Sequence, residues 1–342
     1  MAHRTDLDGW LNLVLGDRRG AGITETDWAA AVDAAQPAVD GALARLLDED
    51  RTADALAAVD ALGAYWHWKA AFADGVSWTA RVLAAAPDGP AEQRARVLTS
   101  LAVMQFRCGD TESCRATSET ALTLARLVGD PALTTSALSS LARVGLRTND
   151  FDLVRRVCAD AMSVADAAQR PDLQRLPLHC LAEGTRLSGD LAGARPLYRQ
   201  SIDLNLRLGN ENMVAMERSN LAALETAEGN TVLARELLQQ SLQVLQRIGD
   251  RYLLPYALLN MGGVVLLDGH PVKAVRLLAA ADAIFSESGA AIDPADKPVF
   301  DGHVQAARAA LGEDAFEAAW SAGTELSPDA AIEEALAAAT AA

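Results

Sequence analysis

Along most of the chain apolar residues return three or four positions apart, a spacing that predicts amphipathic helices rather than strands. A longer period is laid over it. Gly109-Asp110, Gly129-Asp130, Asn149-Asp150, Gly189-Asp190, Gly209-Asn210, Gly229-Asn230, Gly249-Asp250 and Gly269-His270 recur at every twentieth position, and Gln169-Arg170 fills the remaining slot. Gly and Asn tolerate the left-handed conformation just past a helix end, and a following Asp or Asn can accept the free N–H groups of the next helix. Each dipeptide therefore predicts a helix stop and a helix start.

Alternate units differ, so the full repeat spans two of them and holds two antiparallel helices. In the first helix of each pair Leu101, Leu141, Leu181, Leu221 and Met261 align, each followed by a small residue at Ala102, Ala142, Ala182, Ala222 and Gly262. In the second, Cys114, Val154, Ala194, Ala234 and Ala274 align, as do Ala121, Ala161, Ser201, Ser241 and Ala281; the apolar stripe continues at Leu124, Val164, Leu204, Val244 and Ile284. A large residue beside a small one lets helices approach closely, and a pair with one apolar stripe per helix must stack on its neighbours to bury it. The prediction is all-α: a right-handed α-solenoid of antiparallel helix pairs with helical caps, its concave face lined by the first helices. Pro131, Pro171 and Pro271 fall at first-turn positions, where a missing N–H costs nothing. Pro177 and Pro255 are expected inside groove-lining helices and Pro196 inside an outer one, each bending its helix.

The large-then-small pair, the Gly-Asp turn eight residues after the Leu and the small residue five after the Gly resemble the tetratricopeptide repeat (TPR) over residues 91–290. The 40-residue repeats here exceed the family's length of about 34 residues, and no proline closes each one, so both helices should be nearly a turn longer. On this reading residues 1–52 are N-terminal capping helices, 53–90 a degenerate first repeat, 91–290 five regular repeats and 291–342 C-terminal capping helices. Tyr65, Trp66, Trp68 and Trp78 would pack into the degenerate hairpin. Helices are expected around Leu7–Leu15, from Thr26 to Leu47, up to Leu311 after a turn bearing Pro294 and Pro298, from Asp314 to Ala322 and from Pro328. Thr24-Glu25-Thr26-Asp27 offers an N-terminal cap.

The same order of parts, with Ala274-Val275-Arg276-Leu277-Leu278-Ala279-Ala280-Ala281 and then Ala310-Leu311-Gly312-Glu313-Asp314-Ala315-Phe316 and Trp320, resembles the C-terminal half of bacterial signal-transduction (STAND-type) ATPase regulators. In that family such an array follows a nucleotide-binding domain and often accompanies a DNA-binding domain. No Gly-x-x-x-x-Gly-Lys-Ser/Thr phosphate loop and no basic helix-turn-helix occurs here, so the resemblance implies the sensor or partner-binding half.

Composition narrows the chemistry. The 342 residues carry 30 basic and 46 acidic side chains, a formal charge of −16 that repels nucleic-acid backbones. The longest apolar runs fall far short of the roughly 20 residues of a membrane span, and no signal peptide is visible, which points to the cytoplasm. Cys108, Cys114, Cys158 and Cys180 lack metal-ligand spacing and read as core thiols. His3, His67, His179, His270 and His303 form no ligand pair, so neither metal nor cofactor is expected.

Spacing from the aligned Leu column places Arg96, Arg107, Arg143, Arg147, His179, Glu183, Arg186, Met216, Asn220, Tyr256 and Asn260 on the groove face. The arginines read either as a trough for carboxylate or phosphate, or as partners of acidic neighbours. The amides of Asn220 and Asn260, each just before the aligned column, are of the kind that can hold a peptide backbone, and tetratricopeptide-type receptors use asparagines at this place. The function expected is non-catalytic recognition of a peptide, a partner's segment or a small anion, with an ATPase or transcriptional regulator among the candidate partners. The alternative is a small-molecule-binding protein or biosynthetic enzyme using the same groove, its nearest catalytic constellation being His179, Cys180 and Glu183 with Arg143 and Arg186.

Overall fold

The computed structural model describes residues 2–17, 22–35, 38–69, 71–288, 292–293 and 296–340. Apart from one short 3-10 turn, all the regular structure among them is α-helix, and the chain is an all-α helical repeat fold. It divides into two compact units, residues 1–180 and 181–342. The first contains α1 (Ala2–Leu15), α2 (Glu25–Ala34), α3 (Val39–Asp48), α4 (Thr52–Lys69), α5 (Phe72–Ala85), α6 (Ala91–Arg107), α7 (Thr111–Val128), α8 (Pro131–Arg147), α9 (Phe151–Ala167), the 3-10 turn Pro171–Gln174 and the start of α10 (Arg175–Leu187). The second contains the end of α10, then α11 (Leu191–Arg207), α12 (Glu211–Ala227), α13 (Thr231–Ile248), α14 (Leu254–Leu267), α15 (Pro271–Ser288), α16 (Lys297–Leu311), α17 (Glu313–Thr324) and α18 (Pro328–Thr340).

The periodic turn signal is built as the sequence predicts. The repeating glycines from Gly109 to Gly269 have φ between 67° and 91°, and the two substitutes in the series, Asn149 and Gln169, are forced into the same region at 56° and 54°. The next residue then caps the following helix. Asp110 accepts from the Ser113 N–H at 3.0 Å, Asp150 from Leu153 at 3.0 Å, Asp190 from Gly193 at 2.8 Å and Asn210 from Met213 at 3.2 Å. Asn230 departs from the pattern, donating its amide to Glu225 instead.

The aligned small residues are where the helices meet. Ala102, Ala142, Ala182 and Ala222 are fully buried, as are Ala121, Ala161, Ser201, Ser241 and Ala281 of the second-helix column. At Gly262 an added Cβ would already stand 3.0 Å from Leu278. In the first unit the N-terminal helices share a core of Trp10, Trp28, Leu43, Leu62, Trp66 and Trp78 that runs on to Val97 and Met104 of α6. The Trp28 indole donates to the Leu13 carbonyl at 3.1 Å and that of Trp78 to Asp40 at 2.6 Å. In the second unit α16–α18 pack on α14 and α15, and Arg276 clamps Glu334 of α18 through two hydrogen bonds of 2.6 and 2.8 Å.

Several expectations are corrected. The single helix expected from Thr26 to Leu47 is two, because the backbone is extended at Ala35 and Ala38, on either side of Gln36 and Pro37, which lie outside the described residues. Thr24 does cap the first of the two, accepting from the Asp27 N–H at 3.1 Å. Pro177 and Pro255 do not bend helices from within: α10 and α14 start late, at Arg175 and Leu254, and both prolines sit in first turns where no N–H is needed. Pro171 opens the 3-10 turn, while Pro196 does lie inside α11. Trp68 is 43% exposed, facing away from the core that takes Trp66. Cys108, just past the end of α6, is exposed, whereas the other three thiols are buried. Pro294 lies outside the described residues.

A left-handed Gln carries strain that Gly does not. Gln169→Gly should raise stability by about 0.5–1 kcal/mol, and Gly229→Val should lower it by about 1–2 kcal/mol, both read from urea unfolding followed by circular dichroism.

Candidate functional site

In the first unit a column of basic residues runs along the helix ends, one per repeat: His67 in the last turn of α4, Arg107 closing α6 and Arg147 closing α8. Cations are favoured there, because the last carbonyls of a helix present the negative end of its dipole. The Arg147 guanidinium lies 3.7 Å from the centre of the Phe106 ring and donates to the Phe106 carbonyl at 2.6 Å, which fixes it as a flat, oriented cation. His67 meets Phe72 edge to face at 5.2 Å. Burial first, and then the charges of Arg107 and Arg143, push its pKa below the ordinary imidazole value, so it is neutral at pH 7.

Arg143 lies one turn before Arg147, outside that column, and unlike Arg147 it makes no hydrogen bond or ring contact among the described residues. It is half-buried, and no carboxylate among the described residues pairs with it. It also lies close enough, with Arg147, to oppose the upward push of burial on the Cys114 thiol. Arg96 is different. Its guanidinium bonds Asp60 at 2.9 Å and Glu92 at 2.5 Å, so its charge is already used. His179 is half-buried, and Cys180 beside it is wholly inside the core.

In the second unit the expected groove residues are largely tied to one another. Arg186 bonds Glu183 at 2.8 Å and donates its Nε–H to the Tyr198 hydroxyl at 3.2 Å, while that hydroxyl donates to Glu183. The Arg186 and Glu183 side chains are only 16% and 13% exposed. Asp296, at the start of α16, comes within 3.9 Å of Arg186 without a hydrogen bond to it. Burial, and after it the like charge of Glu183, push the Asp296 carboxyl up to about 6 against the opposing pull of Arg186. Tyr256 packs edge-on to Phe285 at 4.9 Å and is hydrogen-bonded to the Asp293 backbone, with burial holding its phenol neutral.

Asn260 spends its amide N–H groups on Ser219, at 3.2 Å to the carbonyl and 3.0 Å to the hydroxyl, so it ties α14 to α12. Asn220 is half-buried and its amide has no partner among the described residues. Met216 fills the side of the core cluster around Leu258. Thus Arg107, Arg143 and Arg147 are gathered in one unit, and Glu183, Arg186 and Tyr256 are tied up in the other. Sequence spacing missed His67, although it stands one full repeat before Arg107 in the same column, because the degenerate hairpin lacks its Gly-Asp marker. Asp296 had no periodic signal at all, since it follows the last repeat.

No protein-family model and no curated protein matches this chain. Solved structures do. A Rap protein complexed with competence and sporulation factor superposes with a TM-score of 0.56 at 12% identity, covering 94% of this chain and 98% of the other. The Rap conjugation gene regulator of the plasmid pLS20, in complex with the Phr* peptide, gives 0.55 at 12% identity over 79% of this chain and 80% of that one. Aspartyl phosphate phosphatase F from Bacillus subtilis gives 0.54 at 11% identity over 82% and 77%. At such identities the likeness is one of fold, a TPR-like helical repeat.

Two outcomes follow from how each arginine is partnered. Arg186→Met, which leaves Glu183 buried without its cation, should cost about 3 kcal/mol, whereas Arg143→Met should change stability by less than about 0.5 kcal/mol, both by thermal unfolding. Asp296 binds its proton more tightly folded than unfolded, so between its two pKa values the native state holds more protons and stability rises as pH falls. From pH 7 to 5 the gain over Asp296→Asn should be about 1 kcal/mol, reduced by the solvent exposure of the carboxyl.

Proposed function

We propose that this chain is a non-catalytic, peptide-binding regulatory module in which an anionic group of the peptide is held by Arg143, flanked by Arg107, Arg147 and the neutral His67. The observation that carries the reading is the half-buried Arg143 guanidinium without a counter-ion, in a chain of net charge −16 that pairs many of its other arginines internally. A partly desolvated guanidinium gains from a carboxylate that meets its N–H groups as a planar fork. The Phe106 ring under Arg147 offers an apolar wall beside the charge. In the second unit, taken by itself, the uncommitted amide of Asn220 suits a peptide backbone. The overall negative charge works against long polyanions, so a short peptide with one or two acidic groups fits better than nucleic acid.

Two of the solved structures with this fold hold peptides, the Phr* peptide in one and competence and sporulation factor in the other, which supports the same use of the fold here. The four-part division into caps, degenerate repeat and regular repeats, and a cytoplasmic setting, belong to the same proposal. So does a partner carrying ATPase or transcriptional-regulator domains, which the resemblance to signal-transduction ATPases supports. The enzyme alternative has less behind it, because Cys180 is enclosed in the core and Glu183 is held by Arg186 and Tyr198. Among the described residues no helix is long and apolar enough to cross a membrane.

Fluorescence anisotropy with a library of labelled pentapeptides containing Asp or Glu tests the reading. Arg143→Glu should weaken the best binders at least about tenfold, since a favourable charge pair becomes a repulsion, with the unfolding midpoint nearly unchanged. Among peptides whose binding does not depend on Arg143, Asn220→Ala should weaken those held by the second unit about fivefold, the worth of one hydrogen bond. Binding indifferent to Arg143→Glu would reject the site.

A further inference from the structure

One core column of the repeats is broken at a single place, inside the second unit. Leu98, Leu138, Leu178 and Leu258 stand at this position in α6, α8, α10 and α14 and all are buried, Leu98 being the most exposed at 8%; α12 carries Arg218 there. The side of α12 from which Arg218 projects is fixed by residues one turn away. The Ala215 carbonyl accepts from the Ser241 hydroxyl of α13 at 2.8 Å, and Ala222 shares a core with Ala234 and Leu238 of that same helix. Residues three and four apart share a helix face, so Arg218 leaves α12 on the side that meets α13. Glu217 beside it turns elsewhere, to the Ser201 hydroxyl of α11 at 2.7 Å.

Leu98 shows what this position ordinarily holds: it belongs to a cluster with Ala121 and Ala137, against which Leu124 packs. The residues at the matching places around Arg218 are Ser241, Ala257 and Val244. Arg218 itself is half-buried, and among the described residues its side chain has no carboxylate, hydrogen-bond or ring partner. Burial alone moves its guanidinium pKa below the ordinary arginine value, with no carboxylate to oppose it. Both features work against stability, since a leucine would bury apolar surface here and a partly desolvated cation without a partner is unfavourable. Breaks of this kind in an otherwise consistent core are expected where a residue serves a ligand.

We propose that Arg218 anchors a further ligand site, contained in the second unit on the α13 side of α12, that takes a small monocarboxylate with an apolar body. The uncommitted N–H groups of a guanidinium lie in one plane and meet a carboxylate as a fork. Val244 and Ala257, set beside Arg218 by the register, are apolar, and the Ser241 hydroxyl already donates to Ala215. One cation against an apolar wall matches a single negative charge attached to hydrocarbon, whereas a phosphate dianion would need further donors. The site draws on no residue of the first unit, so it stands or falls apart from the peptide reading built on Arg143.

Arg218→Leu is the decisive variant, because it restores the residue of the other four helices and removes the cation. The probe is 4-fluorobenzoate, titrated into the full chain at constant ionic strength and followed by fluorine NMR. Arg218→Leu should weaken binding at least about tenfold, the loss of a charge-assisted fork, while Arg143→Glu should leave it within about twofold of the wild type. Arg218→Lys, which keeps the charge without the fork, should weaken it about three- to fivefold. Without any probe, Arg218→Leu should melt about 2–4 °C above the wild type. Binding unaltered by Arg218→Leu and Arg218→Lys, binding that falls as far in Arg143→Glu, or no binding by any form would overturn the site. Arg218-dependent binding of inorganic phosphate with none of the fluorobenzoate would overturn the ligand class. An Arg218→Leu chain that melts below the wild type would overturn the premise that Arg218 is held against stability, and the proposal with it.

Discussion

A single backbone constraint underlies the rest of the molecule: at every twentieth position in the repeats one residue must take up a left-handed conformation. It stops one helix, and the side chain after it usually starts the next. Most helices between these points are held to 17 or 18 residues, roughly five turns. Side chains one repeat apart therefore return to the same face at the same height. That is why columns of small residues can be buried completely and neighbouring helices can approach closely. The strength of the constraint shows at Gln169, which adopts the left-handed conformation at a steric cost rather than breaking the register.

The same register that stacks alanines also stacks charges. His67, Arg107 and Arg147 form a column because they recur once per repeat at helix ends, where the dipole favours the charge of the two arginines. In this acidic chain many arginines elsewhere find a carboxylate: Arg96 with Asp60 and Glu92, Arg195 with Glu225, Arg276 with Glu334. Such pairs fix local geometry and leave little to attract a ligand. Arg143, half-buried and without a carboxylate among the described residues, lacks such a pair, and the proposed ligand site is placed there for that reason.

The second unit uses the equivalent positions differently. Glu183 stands in the column of Arg143, and its charge draws Arg186 and the Tyr198 hydroxyl into a buried cluster, with Asp296 at its margin. Further inside, Ser201 donates to the fully buried Glu217 at 2.7 Å, and Asn205 to the Ser201 carbonyl at 2.8 Å. Buried polar groups of this kind tolerate few alternative arrangements, since each lost partner leaves a group desolvated. The first unit leaves Arg143 without a carboxylate beside Arg147, while in the second unit Arg186 is held by Glu183 and Tyr198.

The helices, their stops and starts, and the buried columns were legible in the sequence, because each depends on the residue's own backbone preference or on a short repeating pattern of size and polarity. Gly109 or Asp150 carries its meaning locally, and a column of alanines announces itself by its interval. Pro177 and Pro255 were misplaced because a proline's effect depends on where its helix begins, which the pattern gives only to within a few residues. The partnering of charges was not legible. That Arg186 is claimed by Glu183, Tyr198 and Asp296 while Arg143 is left alone depends on which distant side chains the fold delivers to each. Asp296 reaches Arg186 from far along the chain, out of a segment with no period. Local conformation and burial are set by neighbours along the chain, whereas electrostatic neutralisation is set by neighbours in space, and the tertiary structure alone decides those.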